Sequence, residues 1–273
     1  MAGRISKRFE LAKSEGRGIL GVFVSAGDPT EDICVATLDK LVESGVDMIE
    51  LGMPFSDPMA DGPAIQAASL RAIAAGMTLE KTLKIAADFR DRHSDTPLIL
   101  MGYYNPIYMY GVDKFIQQAT AAGVDGLIVV DLPPEEDVEL CDPAIEAGLD
   151  FIRLTTPTTK GARLTRVLEK AGGFVYYVSI TGITGTKSAA GDSIKKAVED
   201  IRSATDLPVV TGFGIRTPEQ AAEAATLSDG AIVGSAVVEI IANNIDEDGT
   251  PAPDIADKIG AFVSSLAKAI AAK

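Results

Sequence analysis

Eight short apolar runs alternate with Ala-rich helical segments along this chain of 273 residues, and this alternation strongly constrains the fold. The runs lie at 19–25, 47–52, 97–103, 125–131, 150–155, 174–180, 207–212 and 230–234. Strands that are apolar on both faces and are separated by helices are typical of a parallel sheet. Eight such units in this length predict one (β/α)8 TIM barrel, with 1–273 as a single domain. A doubly wound open sheet is the structural alternative, but no Gly-x-Gly-x-x-Gly motif follows the first run.

The helical segments fill the spaces between these runs and extend beyond them. We predict helices at 31–43, 64–92 (as two helices), 112–122, 135–147, 161–171, 191–203, 217–226, 235–243 and 254–272. The spacing of Ile5, Phe9 and Ala12 indicates a further amphipathic helix that packs on the body of the protein. The barrel is therefore expected to have an extra N-terminal helix and additional helices after strands two and eight.

Charge and cysteine usage exclude several classes of function. The chain has 25 Lys and Arg against 39 Asp and Glu, a net charge of −14, which argues against a nucleic-acid or anionic-membrane surface. Cys34 and Cys141 lack a CxxC or Cys/His cluster, which suits a reducing compartment. His93 is the only histidine, so a two-histidine metal site is excluded. With neither a signal-peptide core nor an apolar run of about 20 residues, we expect a cytoplasmic protein.

Two carboxylates near the second strand are the candidates for acid–base chemistry. Glu50 lies within an apolar run, where a carboxylate is costly unless something uses it. Asp61 follows beyond a turn, so the two side chains can converge only across the mouth of a strand–loop–helix unit. For Asp61 alone, a helix cap is the structural alternative. A Mg²⁺ held by Asp57, Asp61 or Asp131 is a further open alternative. No Lys stands at a strand end, which disfavours a Schiff base.

Glycines at the ends of the last two strands predict a phosphate site. Gly212 and Gly214 follow strand seven, and Gly234 precedes a helix that begins at Ser235. Unobstructed backbone N–H groups and a helix N-terminus at adjacent barrel positions favour a bound phosphate over plain tight turns. The loop 181–192 has three Gly and three Thr, so it is either a lid over the substrate or merely flexible. Together these features indicate acid–base chemistry on a phosphorylated, partly aromatic small molecule.

With these residues assembled, the sequence resembles the α-subunit family of tryptophan synthase over essentially its whole length. The matching motifs, in family order, are FVSAGDP (23–29), ELGMPFSDPMADGP (50–63), MGYYNPI (101–107), VVDLPPEE (129–136), GITG (182–185), GFGI (212–215) and VGSA (233–236). The motif at 50–63 is highly specific, whereas the short glycine motifs alone are not. The resemblance implies a (β/α)8 lyase that cleaves indole-3-glycerol phosphate to indole and glyceraldehyde 3-phosphate in a retro-aldol reaction.

The resemblance also implies roles for individual residues. Glu50 matches the catalytic glutamate that moves protons at the indole C3 and at the side-chain hydroxyl. Asp61 matches the aspartate that pairs with the indole N–H and stabilises the cation formed when C3 is protonated. The implied substrate-binding residues are Phe23, Ile65, Tyr103 and Tyr176 around the substrate, Thr184 in the closing lid, and Gly185, Phe213, Gly214, Gly234 and Ser235 around the phosphate.

Members of this family work with a pyridoxal-phosphate-dependent β subunit, to which indole passes through a tunnel in an α2β2 assembly. The residues implied to face that partner are Pro54, Asp57, Asn105 and Pro106. The resemblance implies no metal and no cofactor in the chain itself, because pyridoxal phosphate (PLP) belongs to the β partner. Ile180 follows Ser179 where some relatives have arginine, and the acidic segment 246–254 looks like an insertion.

Three alternatives stay open at this point. A free-standing indole-glycerol-phosphate lyase would use the same residues without a partner. A weakly catalytic barrel that mainly activates the β subunit is disfavoured because both Glu50 and Asp61 are present. A phosphosugar isomerase or epimerase would share the phosphate site but should lack the motif at 50–63.

Overall fold

A computed structural model of the chain describes residues 3–179, 187–212 and 214–272. The strands are Ile19–Ser25 (β1), Met48–Gly52 (β2), Leu98–Gly102 (β3), Gly126–Val129 (β4), Asp150–Phe151 (β5), Arg153–Thr155 (β6), Val175–Val178 (β7), Val209–Gly212 (β8) and Gly230–Val233 (β9). The helices are Arg4–Ser14 (α1), Glu31–Glu43 (α2), Pro63–Ala74 (α3), Leu79–Arg92 (α4), Tyr104–Tyr110 (α5), Val112–Ala121 (α6), Cys141–Glu146 (α7), Ala162–Leu168 (α8), Lys187–Arg202 (α9), Pro218–Leu227 (α10), Ser235–Ala242 (α11) and Ile255–Ala271 (α12), with a 3₁₀ helix at Pro134–Glu139.

All the strands pair in parallel in one sheet, in the order β5-β4-β3-β2-β1-β9-β8-β7-β6. The two ends of this order, β5 and β6, are consecutive pieces of chain that only Ile152 separates. The Ile152 N–H donates to the Leu127 carbonyl at 2.9 Å, so the fifth predicted strand continues through the break. The sheet therefore closes into a barrel with eight strand positions and surrounding helices, which confirms the predicted fold class.

Alternate residues of each strand face two different cores. Met48 belongs to the cluster inside the barrel, whereas Ile49 and Leu51 belong to the larger cluster between strands and helices. Because side chains alternate along a strand, Glu50 points into the barrel on the same side as Met48. Helix α1 closes the N-terminal end of the interior, since Ile5 and Phe9 pack in the same inner cluster. The opposite end of the barrel is left for the loops that carry the candidate site.

At two places, an aspartate in the turn before a strand binds the backbone of the preceding strand. Asp47 accepts a hydrogen bond from the Leu20 N–H at 2.8 Å, and Asp125 accepts one from the Leu98 N–H at 2.8 Å. Each carboxylate also pairs with an arginine, at 2.7 Å in both cases. In each case a Gly-x-Asp sequence, 45–47 or 123–125, ties an N–H at the start of one strand to the turn that leads into the next strand.

The structure departs from the predicted helices in three places. Helix α5 was not predicted; its first N–H is capped by the Asp131 carboxylate at 2.8 Å, and Asp131 comes from a neighbouring strand end. The predicted helix at 135–147 is divided, because Pro143 lacks an N–H and is tolerated only in a first helical turn. The helix predicted at 191–203 begins earlier, because α9 starts at Lys187 and includes the helix-favouring Ala189 and Ala190. Residues 181–186 of the predicted loop 181–192 lie outside the described residues. Within the described ranges, no helix is both long and apolar enough to cross a membrane.

Candidate active site

Glu50 is a carboxylic acid that is buried inside the barrel. It is 1% exposed and is the strand neighbour of Phe23 in the register of β1 and β2. Its Oε1 atom has no hydrogen-bond partner among the residues that the structure describes. Burial raises the pKa of Glu50 to about 8, because the charged form loses its hydration. The carboxyl group therefore holds its proton at neutral pH and is suited to give it up and take it back.

A small cavity opens above the barrel interior, between the ends of the first four strands. Its lining residues are Phe23, Gly52, Met53, Phe55, Pro58, Asp61, Ile65, Ser69, Met101, Gly102, Tyr103 and Val130. The cavity brings together four residues predicted from the sequence, namely Phe23, Asp61, Ile65 and Tyr103. Glu50 is not among the lining residues, although its strand neighbour Phe23 is. Aromatic and aliphatic walls with one carboxylate form an environment suited to a flat apolar ring that carries a hydrogen-bond donor.

Asp61 does not cap the helix that follows it, so the structural alternative considered above is wrong. The N-cap residue of α3 is Gly62, which has no side chain to make a capping hydrogen bond. The main chain of Asp61 is held on both sides, because its N–H donates to the Pro58 carbonyl and its carbonyl accepts from Gln66 Nε2 at 2.8 Å. Burial raises the pKa of Asp61, and the neighbouring Tyr103 hydroxyl opposes that shift. The carboxylate lines the cavity and does not serve as a helix cap, so it can meet a ligand there.

Tyr176 lies on β7 inside the barrel. Its pKa is raised well above the usual value, first by burial and then by the nearby Glu50 carboxyl group. Gly212 on the neighbouring strand β8 makes room for it, since a Cβ atom there would lie 2.2 Å from the tyrosine oxygen. The missing side chain of Gly212 therefore leaves room for Tyr176, a role in addition to the phosphate contact predicted from the sequence.

The predicted phosphate residues are described only in part. Gly234 is the N-cap of α11 and Ser235 is its first residue, so the N-terminus of this helix lies at the end of β9. Gly214 has a φ of +77°, a conformation that favours glycine. The register of Gly212 with Ile232 places the two glycine-containing turns at adjacent strand ends. Gly185, Phe213, Thr184 and Ile180 lie outside the described residues.

The predicted partner-facing residues lie on the loop after β2 and on α5 after β3, two neighbouring strands of the barrel. Asp57 and Asn105 are exposed, whereas Pro54 and Pro106 are half-buried. Sequence reasoning missed two residues close to them in the chain, the exposed methionines Met59 (86%) and Met109 (75%). Exposed apolar side chains on the segments that follow neighbouring strands are a signal for an interaction surface. This signal can be recognised only when the exposure of the two methionine side chains is known.

Comparison with known proteins identifies the family. The family model described as tryptophan synthase alpha chain matches residues 9–267. The chain belongs to the tryptophan synthase alpha chain family. It is 40% identical to tryptophan synthase subunit alpha from Legionella pneumophila, with a TM-score of 0.90 and 99% of each chain covered. It is 33% identical to a chain of tryptophan synthase from M. tuberculosis, with a TM-score of 0.85, covering 98% of this chain and 99% of that one.

Membership in the tryptophan synthase alpha chain family confirms the resemblance and decides among the reaction classes. The chain is a carbon–carbon lyase of tryptophan biosynthesis that cleaves indole-3-glycerol phosphate, and not a phosphosugar isomerase. Over the described ranges, no three His, Cys, Asp or Glu side chains cluster in a way that could hold a metal ion. Asp131, one of the three aspartates considered for Mg²⁺, instead caps α5.

Proposed function

We propose that Glu50 and Asp61 of this chain carry out the retro-aldol cleavage of indole-3-glycerol phosphate. The observation that carries the proposal is the buried Glu50, with an unpartnered oxygen and a pKa of about 8. A carboxyl group buried without a partner is costly, and such groups are concentrated at functional sites. Asp61 supplies the second carboxylate, at the edge of the cavity that would hold the indole ring.

The proposed cleavage proceeds through two proton transfers by Glu50. The protonated Glu50 gives its proton to the indole C3, which becomes tetrahedral, and the ring nitrogen takes up the positive charge. The Asp61 carboxylate accepts a hydrogen bond from the ring N–H and stabilises that charge. The ionised Glu50 then removes the proton of the hydroxyl on the carbon attached to C3. The carbon–carbon bond breaks, its electrons return to the ring as indole, and the carbinol becomes the aldehyde of glyceraldehyde 3-phosphate.

The raised pKa of Glu50 suits both proton transfers of the proposed reaction. A carboxyl group with an ordinary pKa would be ionised at neutral pH and could not begin as the acid. With a pKa of about 8, Glu50 starts protonated and is still a usable base after it has donated. No cofactor is needed for these transfers, so we propose that the chain works without one.

For the phosphate, we propose the backbone N–H groups around Gly214, Gly234 and Ser235, together with Gly185 and Phe213. The support is the N-terminus of α11, whose partial positive charge and free N–H groups favour an anion. Local donors matter here because a net charge of −14 repels an anionic substrate at long range. Thr184 in the closing lid and the walls formed by Phe23, Ile65, Tyr103 and Tyr176 complete the proposed substrate site.

We also propose that indole passes to a PLP-dependent β subunit in an α2β2 assembly. The relatives from M. tuberculosis were solved as tryptophan synthase. The docking surface would include Pro54, Asp57, Asn105 and Pro106. Its apolar component would be Met59, Tyr108, Met109 and Val138, all exposed on the loops and helices that follow strands β2, β3 and β4. A free-standing lyase is the alternative. The free, buried thiols of Cys34 and Cys141 support a cytoplasmic location.

The test is to measure indole release from indole-3-glycerol phosphate by the purified chain, alone and with a tryptophan synthase β subunit. Slow release by the chain alone that rises sharply with the β subunit is the expected result. Fast release that does not depend on the β subunit would indicate a free-standing lyase. No release in either condition would overturn the roles assigned to Glu50 and Asp61.

A further inference from the structure

Tyr103 touches the loop that carries Asp61 at two separate points. Its hydroxyl oxygen accepts a hydrogen bond from the Ala60 N–H at 2.9 Å. Its ring packs against Phe55, with ring centroids 5.5 Å apart. Phe55 lies near the start of the loop between β2 and α3, and Ala60 lies directly before Asp61. A single side chain at the end of β3 therefore spans the loop from one end to the other.

The hydroxyl of Tyr103 has one proton to donate, and its surroundings decide where that proton goes. Because the oxygen already accepts from the Ala60 N–H, the O–H bond must point elsewhere. The side chains of Asp61 and Tyr103 line the same cavity, and each changes the pKa of the other. Asp131, at the end of β4, is the other carboxylate that acts on the hydroxyl, and it is already engaged with the Tyr104 N–H. The Asp61 carboxylate, which lines the same cavity as the hydroxyl, is the acceptor that we assign to this proton.

We propose that Tyr103 is a positioning residue, whose hydroxyl accepts from the Ala60 N–H and donates to the Asp61 carboxylate. This inference rests on the proposed role of Asp61 and deepens it. One oxygen of the carboxylate is held by the tyrosine, and the other faces the cavity to receive the indole N–H. The hydrogen bond also favours the ionised form of Asp61, against the burial that disfavours it.

Tyr103→Phe tests the proposal, because it removes the hydroxyl and keeps the ring against Phe55. We expect kcat/KM for indole release to fall about tenfold, the size expected for a lost hydrogen bond to a charged group. KM should change little, since the aromatic wall is kept. The acid limb of the pH profile should move to higher pH, because Asp61 loses an interaction that lowers its pKa. Unchanged kcat/KM and an unchanged acid limb would overturn the proposal.

The matched control is Tyr104→Phe, one residue along the chain. Its hydroxyl bonds to Glu139 at 3.0 Å and not to the loop that carries Asp61. We expect this variant to keep the kcat/KM of the isolated chain. A loss as large as that of Tyr103→Phe would mean that any tyrosine hydroxyl in this region affects turnover, and it would overturn the specific role of Tyr103.

A double-mutant cycle separates this inference from the proposed function. When Asp61→Asn has already removed the carboxylate, Tyr103→Phe should cause no further loss. Equal losses in both backgrounds would show a merely structural tyrosine and would overturn the positioning role, with Asp61 still catalytic. Native turnover of Asp61→Asn alone would instead refute the role of Asp61 itself.

Discussion

The ring of Phe23 occupies the space that a side chain on Gly52 would need. A Cβ atom built on Gly52 would lie 2.6 Å from Cζ and 2.8 Å from Cε2 of Phe23. Phe23 is nearly buried, lines the active-site cavity and is the strand neighbour of Glu50. Residue 52 is therefore required to be glycine, because the ring of Phe23 on the neighbouring strand fills the space of any side chain there.

Gly52→Ala should displace Phe23 and damage both stability and turnover. The added methyl group has to push the ring aside, and overpacking of this kind costs about 1–3 kcal/mol. Thermal unfolding and indole release measure the two effects. Phe23→Leu in the same chain should recover most of the lost stability, because the shorter side chain leaves room; Phe23→Leu alone is the control. A Gly52→Ala variant as stable and active as the native protein would contradict the inferred contact.

Glu50→Gln should lower kcat by about 10²–10⁴, the usual contribution of a general acid–base group. The amide keeps the size of the side chain but can neither give nor take the proton. Indole release under saturating substrate measures the loss, and Glu43→Gln on the outside of α2 is the matched control. In the native protein, kcat/KM should fall as the pH rises through about 8, because the acid form of Glu50 is lost. Near-native turnover of Glu50→Gln would rule out its role.

Much of the fold could be predicted because its signals are local. Most of the strands lie in short, mainly apolar runs, and the predicted run 19–25 coincides with β1. Helix α5 escaped prediction because its cap is the carboxylate of Asp131, which reaches it from another strand end. The capping contact joins residues 27 apart in sequence, so no short window contains it.

The candidate site, too, could be predicted only in part from the sequence. Glu50 could be identified from the sequence because a carboxylate within an apolar strand is conspicuous. The roles of Gly52 and Gly212 could not, because each glycine leaves space for an aromatic ring on another strand. The contact of Tyr103 with Ala60 is hidden for the same reason. A sequence identifies residues suited to the chemistry, but not the side chains that position them.

Gly234→Asp should weaken substrate binding by placing a carboxylate beside the bound phosphate. Steric and electrostatic effects are separated by Gly234→Ala, whose Cβ atom would meet Phe23 Cβ at a tight 3.3 Å. We expect a modest change for the alanine variant and a rise in KM of about tenfold or more for the aspartate variant, since like charges repel strongly in a partly buried site. If both variants have the same KM, the phosphate lies elsewhere.

Met59→Asp should impair activation by the β subunit. Met59 is the most exposed of the large apolar side chains in the described part of the chain, and a charge on an apolar docking surface resists desolvation. The β-subunit concentration that gives half-maximal indole release should rise about tenfold, as for a moderate interface residue. Leu11→Asp is the control. It adds the same charge at an exposed residue of α1, at the opposite end of the barrel. Equal effects of the two substitutions would argue against this docking surface.

The catalytic carboxyl group should also reduce stability, in a way that depends on pH. Burial raises the folded-state pKa of Glu50 from 4.5 to about 8, whereas the unfolded chain keeps the ordinary value. Between these two pH values the folded state holds a proton that the unfolded state has released, so the native protein loses stability as the pH rises. Glu50→Gln removes this titration. Its free energy of unfolding, measured by urea denaturation, should match that of the native protein near pH 4.5 and exceed it increasingly up to pH 8. Parallel pH profiles for the two proteins would show that Glu50 ionises as easily in the folded chain as in the unfolded one, and the proposed acid would lose its physical basis.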